Sequence, residues 1–282
     1  MVAKIVIRSI LIGGVIGFLL VGFLPHIESD AAGYFIEIAI IAGTVALVMY
    51  FDFKRMQKKY SVTEEQKRYM LFGGLLLAIN NETNQTFRVV NTSKGKARAL
   101  LRDWWGITTS TSAIDTAGDL SKALVHTGFA DDVYNNLVIK DIFYPTHEDL
   151  QKLRPENAAQ VDRIRHGLFT CSQAVQSLKR IGYTESDFAE IKTLAAWDYG
   201  RTTFVARFSA HSKIMTATDA WIFIQKAAEN AEAAYDSWKQ YLAAYVLGRC
   251  IAYGEFLPIG ANVFNQDSAY SRTPFKYRDI PK

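Results

Sequence analysis

Two long apolar runs near the start of the chain constrain its fold more than any other feature. Residues 5–24 are apolar except for Arg8 and Ser9, and residues 31–51 contain Glu37 as their only charge. A helix of about 20 residues spans about 30 Å, the thickness of the hydrocarbon core of a bilayer. Because only a short polar segment separates the runs, they predict a transmembrane helical hairpin within residues 1–60.

The first run has two alternative interpretations. A cleaved signal peptide would need a small-residue cleavage site, but that site is missing and a second apolar run follows almost at once. A soluble hydrophobic hairpin is the other alternative, although runs of this length favour the membrane. Within the second run, Glu37 lies about two turns from the predicted interface, next to Tyr34. Its carboxylate either reaches the outer surface or has an intramembrane function.

The distribution of basic residues predicts the orientation of this hairpin. The basic residues that flank the two runs are Lys4, Arg8, Lys54, Arg55, Lys58 and Lys59. The connecting loop contains Glu28 and Asp30 and no basic residue. Because Lys and Arg accumulate on the cytoplasmic side, both termini are predicted to be cytoplasmic. The chain is therefore expected to be anchored in a membrane, with residues 61–282 as its cytoplasmic domain and the lipid bilayer as one partner.

The composition of the whole chain excludes several protein classes. It is 49% hydrophobic and 21% charged, with a mean hydropathy of +0.01, which argues against a disordered chain and a many-helix transporter. The net charge of +4 is too weak for a dedicated nucleic-acid-binding protein. Two isolated cysteines, Cys171 and Cys250, fit a reducing compartment, with a single disulfide as the alternative. No metal-binding or phosphate-loop motif occurs, so neither a metal nor a cofactor is predicted.

Residues 61–282 are predicted to form a single all-α domain. Thr63 and Gln66 have the spacing of a capping box, which predicts a helix that ends near Ile79. Further helices are predicted at 94–105, 120–128, 157–181, 185–208 and 216–253, the last of these as one or two helices. Residues 108–119 are rich in Ser, Thr, Asp and Gly and are predicted to connect helices, and the tail after Gly254 is predicted to be irregular.

One predicted helix places a charge on an apolar stripe. Trp197, Arg201, Phe204 and Phe208 share one helical face. A buried arginine requires a partner, and Asp198 is close enough along the helix to provide one. Gly200 costs about 1 kcal/mol in a helix interior, which predicts that another chain segment passes close to it.

A second helix repeats this pattern further along the chain. Trp238, Tyr241 and Tyr245 form an apolar stripe that Arg249 extends, next to Gly248. Arg201 and Arg249 are therefore predicted to converge on shared acceptors, with Asp198 as the best candidate. Two interpretations stay open: an ion-pair network that orients helices in the core, or an anion pocket formed by two guanidinium groups.

These elements resemble bacterial family 1266 of the domains of unknown function. The matching residues are Trp105-Gly106-Ile107, Ala196 to Arg201, Trp221, Tyr235 to Trp238, and Tyr245 to Arg249. The resemblance covers about 69–253, and its motif aromatics are Trp105, Trp197 and Trp238. It implies a bacterial origin and a helical domain but no activity, and it leaves the predicted hairpin outside.

The sequence supports two hypotheses about function. The first is a non-enzymatic protein-binding or protective module at the inner membrane, similar to an immunity protein, whose partner is a toxin or a membrane complex. The alternative is an enzyme or binder that acts on a phosphate-bearing or nucleic-acid ligand through Asp198, Arg201 and Arg249. No feature of the sequence determines the oligomeric state.

Overall fold

The computed structural model describes residues 40–48, 50–51, 62–80, 82 and 86–255. The helices are α1 (Glu64–Leu71), α2 (Gly74–Ile79), α3 (Lys94–Trp105), α4 (Ser110–Ser121), α5 (Thr127–Asn136), α6 (His147–Lys152), α7 (Ala158–Arg180), α8 (Glu185–Ala189), α9 (Ala196–His211), α10 (Ala217–Ala234) and α11 (Trp238–Tyr253). A short 3-10 helix, Val138–Lys140, follows α5. The described residues contain no strand, so the all-α prediction is confirmed.

The predicted membrane hairpin lies largely outside the described residues. This applies to the whole first apolar run, to the connecting loop, to Glu37 and to the basic cluster that follows the second run. Of the second run, residues 40–48 and 50–51 are described, and they are helical. None of the described helices combines the length and the apolar composition that a bilayer crossing requires. The tail after residue 255 also lies outside the described part.

Short polar side chains determine where most helices begin. Thr63 and Gln66 form the predicted capping box at α1, and equivalent boxes start α4 at Thr109, α6 at Thr146 and α8 at Thr184. The side chain of Ser237 caps α11 in the same way, although without the reciprocal bond. These caps satisfy amide groups that would otherwise lack acceptors at the helix starts.

The predicted helix that starts after Thr63 is two helices, α1 and α2, and two further predicted elements were wrong. Residues 110–121 are helical because three apolar side chains, Ala113, Ala117 and Leu120, share one buried face despite the polar composition. The predicted helix at 120–128 is instead a reversal between α4 and α5, with Ala123 in the left-handed conformation at φ 59°. The interval 216–253 contains two helices, because the backbone of Tyr235 is extended between α10 and α11.

The predicted helix at 185–208 is also two helices, α8 and α9. A carboxylate on α5 holds the backbone between them, because Asp131 accepts hydrogen bonds from the Leu194 amide at 2.6 Å and from the Thr193 hydroxyl at 2.8 Å. The Tyr235 hydroxyl accepts from the Ala196 amide at 2.8 Å. These partners from distant parts of the chain support the interruption that local propensity did not predict.

Helix α9 forms the centre of the domain. Every residue from 196 to 209 is buried, because α10, α4, α11, α3 and α2 all pack around this helix. The sequence predicted a single apolar stripe, but a helix buried on all sides has none. The other major contact joins α7 to α11, where a Cβ on Gly167 would lie 3.1 Å from the Ile251 Cα.

The two cysteines lie in this second contact as buried free thiols. Burial raises the pKa of Cys171 well above its usual value, and the neighbouring Cys250 raises it further. The disulfide that the sequence left open as an alternative is therefore not formed in this structure.

Candidate functional site

Asp198 and Arg201 form an ion pair in the core, as their spacing predicted. Both lie in the first half of α9, and each side chain is 1% exposed. The Arg201 Nη2 donates to Asp198 Oδ1, and Arg201 Nε donates to the Trp197 carbonyl oxygen at 3.3 Å. A buried guanidinium needs such partners because its removal from water costs several kcal/mol.

The other carboxylate oxygen of Asp198 holds the start of α5. Asp198 Oδ2 accepts from the amides of Val125 at 3.2 Å and His126 at 3.1 Å, and from the Thr127 hydroxyl at 3.0 Å. Helix α5 has no side-chain cap of its own. A carboxylate from α9 therefore supplies the negative charge and the acceptors that a helix N-terminus favours.

His126 completes this cluster in its neutral form. Its Nδ1 lies 2.9 Å from Arg201 Nη2 and 3.8 Å from Asp198 Oδ1. Burial and the charge of Arg201 lower the pKa of His126 to about 4, and they outweigh the nearby Asp198 carboxylate, which raises it. The imidazole is therefore uncharged near neutral pH, and its Nδ1 accepts a hydrogen bond from the guanidinium.

Aromatic rings surround the Arg201 guanidinium. Its central carbon lies 4.8 Å from the Trp197 ring centroid and 5.3 Å from that of Trp105. The Tyr253 hydroxyl accepts from Arg201 Nη1 at 3.4 Å. Among the described residues, no acceptor lies within reach of the indole N–H of Trp105 or Trp197. The two indoles therefore contact the arginine through their π faces.

Arg249 joins the cluster through a tryptophan and not through Asp198. Its guanidinium carbon lies 5.1 Å from the Trp197 ring centroid, and its Nη2 donates to Glu255 at 3.1 Å. Arg201 and Arg249 therefore converge on the Trp197 ring, whereas the sequence had favoured Asp198 as the shared partner. The arrangement favours the core-network interpretation of these residues over the anion pocket.

Both glycines next to the arginines allow close helix packing. A Cβ on Gly200 would clash with the ring of Tyr245 and would lie 3.0 Å from the Phe72 carbonyl oxygen. A Cβ on Gly248 would lie 3.0 Å from Trp197 Cβ. The close approach predicted at Gly200 is therefore present, and it brings α11 against α9.

Trp238 lies apart from the two arginines. It begins α11, is buried, and packs against Phe72 and Tyr241 with ring centroids 4.7 and 5.7 Å away. The Tyr241 hydroxyl donates to the Phe72 carbonyl oxygen at 2.6 Å. This motif aromatic therefore anchors α11 to the end of α1.

A second buried arginine was missed at the sequence level. Arg207, two turns after Arg201, is fully buried and donates to the Thr86 and Phe87 carbonyl oxygens at 2.7 and 3.1 Å. Burial lowers its pKa to about 10. The buried Glu82 carboxylate holds the same segment by accepting from the Val90 amide at 2.8 Å. Arg207 follows Phe204 by three residues, a helical spacing that places the two side chains side by side, which was an available signal for its burial.

Metal binding has no candidate among residues 62–80 and 86–255, since no group of His, Cys, Asp and Glu side chains there is arranged to hold an ion.

No curated protein and no solved structure matches the chain at a significant level. A family model described as protein of unknown function (DUF1266) matches residues 100–268. This interval contains all the candidate site residues and motif tryptophans and more than half of the chain. The chain therefore belongs to the family of proteins of unknown function DUF1266.

Proposed function

We propose that this chain is a protein-binding module of the bacterial inner membrane, with a protective, immunity-like role. The observation that carries the proposal is an apolar rim, which we define as Leu124, Val125 and Tyr253. Leu124 is 67% exposed, and the other two side chains are about half exposed. Leu124 and Val125 precede His126, on which the Tyr253 ring stacks, so the rim groups exposed apolar residues as protein-binding surfaces do.

Two of the three rim residues, Val125 and Tyr253, contact the Asp198–Arg201 pair. The Val125 amide donates to Asp198, and the Tyr253 hydroxyl accepts from Arg201. The ring of Tyr253 also stacks on His126, with centroids 5.7 Å apart. The buried polar cluster therefore fixes the backbone that presents the rim, and a rigid rim loses little entropy when a partner binds.

The same geometry disfavours catalysis or ligand binding through the charged side chains of Asp198 and Arg201 in α9. The Asp198 carboxylate accepts hydrogen bonds from three neighbours besides Arg201, so none of its oxygens is left to act as a base. Arg201 is surrounded by Trp197, Trp105 and Tyr253 and is 1% exposed. An anionic ligand would have to displace these contacts before it reached the guanidinium.

The membrane part of the proposal depends on the two apolar runs and the flanking basic residues of the sequence. A topology reporter fused after Lys282 tests it. We expect a fluorescent protein fusion to be fluorescent and an alkaline phosphatase fusion to be inactive, both in the membrane fraction. An active phosphatase, or a fusion that stays in the supernatant after lysis, would contradict the proposed anchor.

A protection assay tests the partner-binding part. The chain is co-expressed with the product of each adjacent gene, and growth is compared with that of cells without the chain. We expect it to relieve the toxicity of one product, and Leu124→Asp to abolish this relief without lowering the melting temperature. Tyr144→Asp is the matched control, because Tyr144 is 80% exposed and is not a rim residue. Full protection by the Leu124→Asp variant would exclude the rim as the binding surface.

A further inference from the structure

A cationic cleft lies between α3, the turn into α4 and the turn after α9. Its volume is about 450 Å³, within the range of small-molecule sites. The residues that line this cleft are Arg98, Arg102, Ile107, Thr108, Ser110, Lys213 and Ile214. None of them belongs to the Asp198–Arg201 cluster, and the sequence patterns had not singled out the charged ones.

Three basic side chains line the cleft. Arg98 donates from Nε and Nη2 to the Ser212 carbonyl oxygen at 3.2 and 3.0 Å, which joins α3 to the turn after α9. Arg102 Nε pairs with the exposed Asp103 at 2.7 Å. Within the described part of the chain, no carboxylate pairs with Arg98 or Lys213. The lining therefore has a net positive charge that attracts anions.

The turn between α3 and α4 adds hydroxyl groups to this lining. Gly106 ends α3 in the left-handed conformation at φ 65°, and the Ile107 amide donates to the Leu101 carbonyl oxygen at 3.0 Å. The chain then exposes Thr108 and Ser110 at the N-terminus of α4. Hydroxyl donors near a helix N-terminus complement the guanidinium groups in binding phosphate oxygens.

Lys213 occupies a backbone position that favours glycine. Its φ is 61°, in the left-handed region, which costs a non-glycine residue about 1 kcal/mol. Its side chain lines the cleft. A charged side chain at this position therefore contributes to the cleft and weakens the turn that carries it.

From this geometry we infer that the cleft binds a small phosphate-bearing organic ligand. The three cations and two hydroxyls hold the phosphate, and the partly exposed Ile214 contacts the remainder of the molecule. A cleft of about 450 Å³ is much larger than the roughly 30 Å³ that one water occupies, so it has room for more than the phosphate group. This inference is independent of the proposed partner surface and of the membrane anchor.

Isothermal titration calorimetry on the purified full-length chain tests the inference, with pyrophosphate as the probe and sodium chloride as the blank. We expect saturable pyrophosphate binding that weakens as the salt concentration rises. The double variant Arg102→Gln with Lys213→Gln should bind at least about tenfold more weakly, because it loses two charge-assisted contacts. Absence of saturable binding by the unmodified chain would overturn the inference.

Two further variants separate a site from general charge attraction. The matched control is Lys140→Gln with Arg180→Gln, which removes the same two residue types from exposed positions away from the cleft. It should bind as the unmodified chain does, and an equal loss of affinity would overturn the inference. Lys213→Gly should bind more weakly but melt at a higher temperature, since glycine relieves the left-handed strain. A variant with unchanged affinity would remove Lys213 from the site.

Short-chain lipids identify the source of the phosphate. The same titration is repeated with dihexanoyl phosphatidic acid below its micelle concentration. Stronger binding than to pyrophosphate, lost in the Arg102→Gln with Lys213→Gln variant, would assign the cleft to a lipid headgroup. The reverse order of affinities would assign it to a soluble phosphate ester. Either order supports a phosphate site, whereas equal binding by the double variant and the unmodified chain contradicts it.

Discussion

Arginines have opposite roles in α9 and in the cleft beside α3. Arg201 is 1% exposed and contacts a carboxylate, a histidine and aromatic rings. Arg98 and Arg102 are exposed and line a cleft with Lys213. The first arrangement satisfies a charge inside the core, and the second leaves positive charge available to a ligand. An arginine in an unexpected sequence position is therefore weak evidence for a binding site.

The comparison also separates stability from binding. Removal of a buried partner leaves an uncompensated charge, so mutations in the α9 cluster should lower the free energy of unfolding. Mutations of exposed cations in the cleft should change ligand affinity and leave the fold largely intact, because exposed ion pairs contribute little to stability. The following predictions compare the two regions in order of decreasing expected effect.

The largest effect is expected from Arg201→Met. This variant leaves the Asp198 carboxylate buried without its ion-pair partner, and we expect the free energy of unfolding to fall by about 3–5 kcal/mol. Chemical denaturation of the full-length chain measures it. Arg102→Gln is the matched control in the cleft and should unfold at nearly the same denaturant concentration. Equal stability of Arg201→Met and the unmodified chain would show that the α9 pair does not stabilise the core.

Two glycine substitutions compare a closely packed helix position with an open one. Gly200→Ala should destabilise the chain by about 2–3 kcal/mol, because the new methyl group clashes with Tyr245 near the Phe72 carbonyl oxygen. Gly95→Ala in α3 should stabilise it by up to about 1 kcal/mol, since nothing lies within 4 Å of the added Cβ. Thermal denaturation distinguishes them. Changes of the melting temperature in the same direction for both variants would contradict the predicted contrast between the two positions.

His126 should make stability depend on pH. Its pKa is about 4 in the folded chain against 6.5 for an ordinary histidine, so the unfolded chain binds a proton first as the pH falls. The contribution of His126 to the free energy of unfolding is fully present above pH 6.5 and is lost as the pH falls towards 4. Between pH 7.5 and 5 the loss from this group should be about 1–2 kcal/mol.

Denaturation of a matched pair of variants at both pH values checks this effect. His126→Gln should reduce the pH dependence, and His147→Gln at an exposed position is the matched control. Burial also lowers the pKa of His211, so part of the dependence remains in the His126→Gln variant. A pH dependence that is identical in all three proteins would exclude His126 as its source.

The smallest effect is expected at the periphery of the α9 cluster. Arg249→Met loses the contact with the Trp197 ring and the pair with Glu255, and should cost about 1 kcal/mol. Glu255→Gln should cost less than about 0.5 kcal/mol, because the Glu255 side chain is 62% exposed. Chemical denaturation compares them. A loss at Arg249 as large as that at Arg201 would show that both arginines belong to one equally buried network.

Local patterns predicted the features that depend on neighbouring residues. The capping box at Thr63 and the end of α3 at Gly106 follow from side-chain acceptors and from glycine conformation, which act within a few residues. The Asp198–Arg201 pair also follows from helical spacing. The resemblance that the tryptophan and arginine motifs carried is confirmed by the family match over residues 100–268.

Tertiary contacts decided the features that local patterns did not reveal. Helix α4 was missed because its polar surface concealed the buried positions Ala113 and Ala117. The break between α8 and α9 depends on Asp131, which lies 63 residues before the Leu194 amide that it accepts from. Such contacts form only when the chain has folded. Helix propensity alone therefore missed α4 and predicted one long helix in place of α8 and α9.

The sequence by itself determined an all-helical domain, the starts of α1, α3, α7, α8 and α10, and the buried ion pair of α9, because spacing along one helix is local information. It also predicts the membrane hairpin. Only the tertiary structure decided that Arg249 meets Arg201 across Trp197 and that a cationic cleft exists. The cleft joins Arg98 to the turn at Ser212, 114 residues later in the chain. No periodicity encodes a contact at that separation, because it depends on how α3 and α9 pack together.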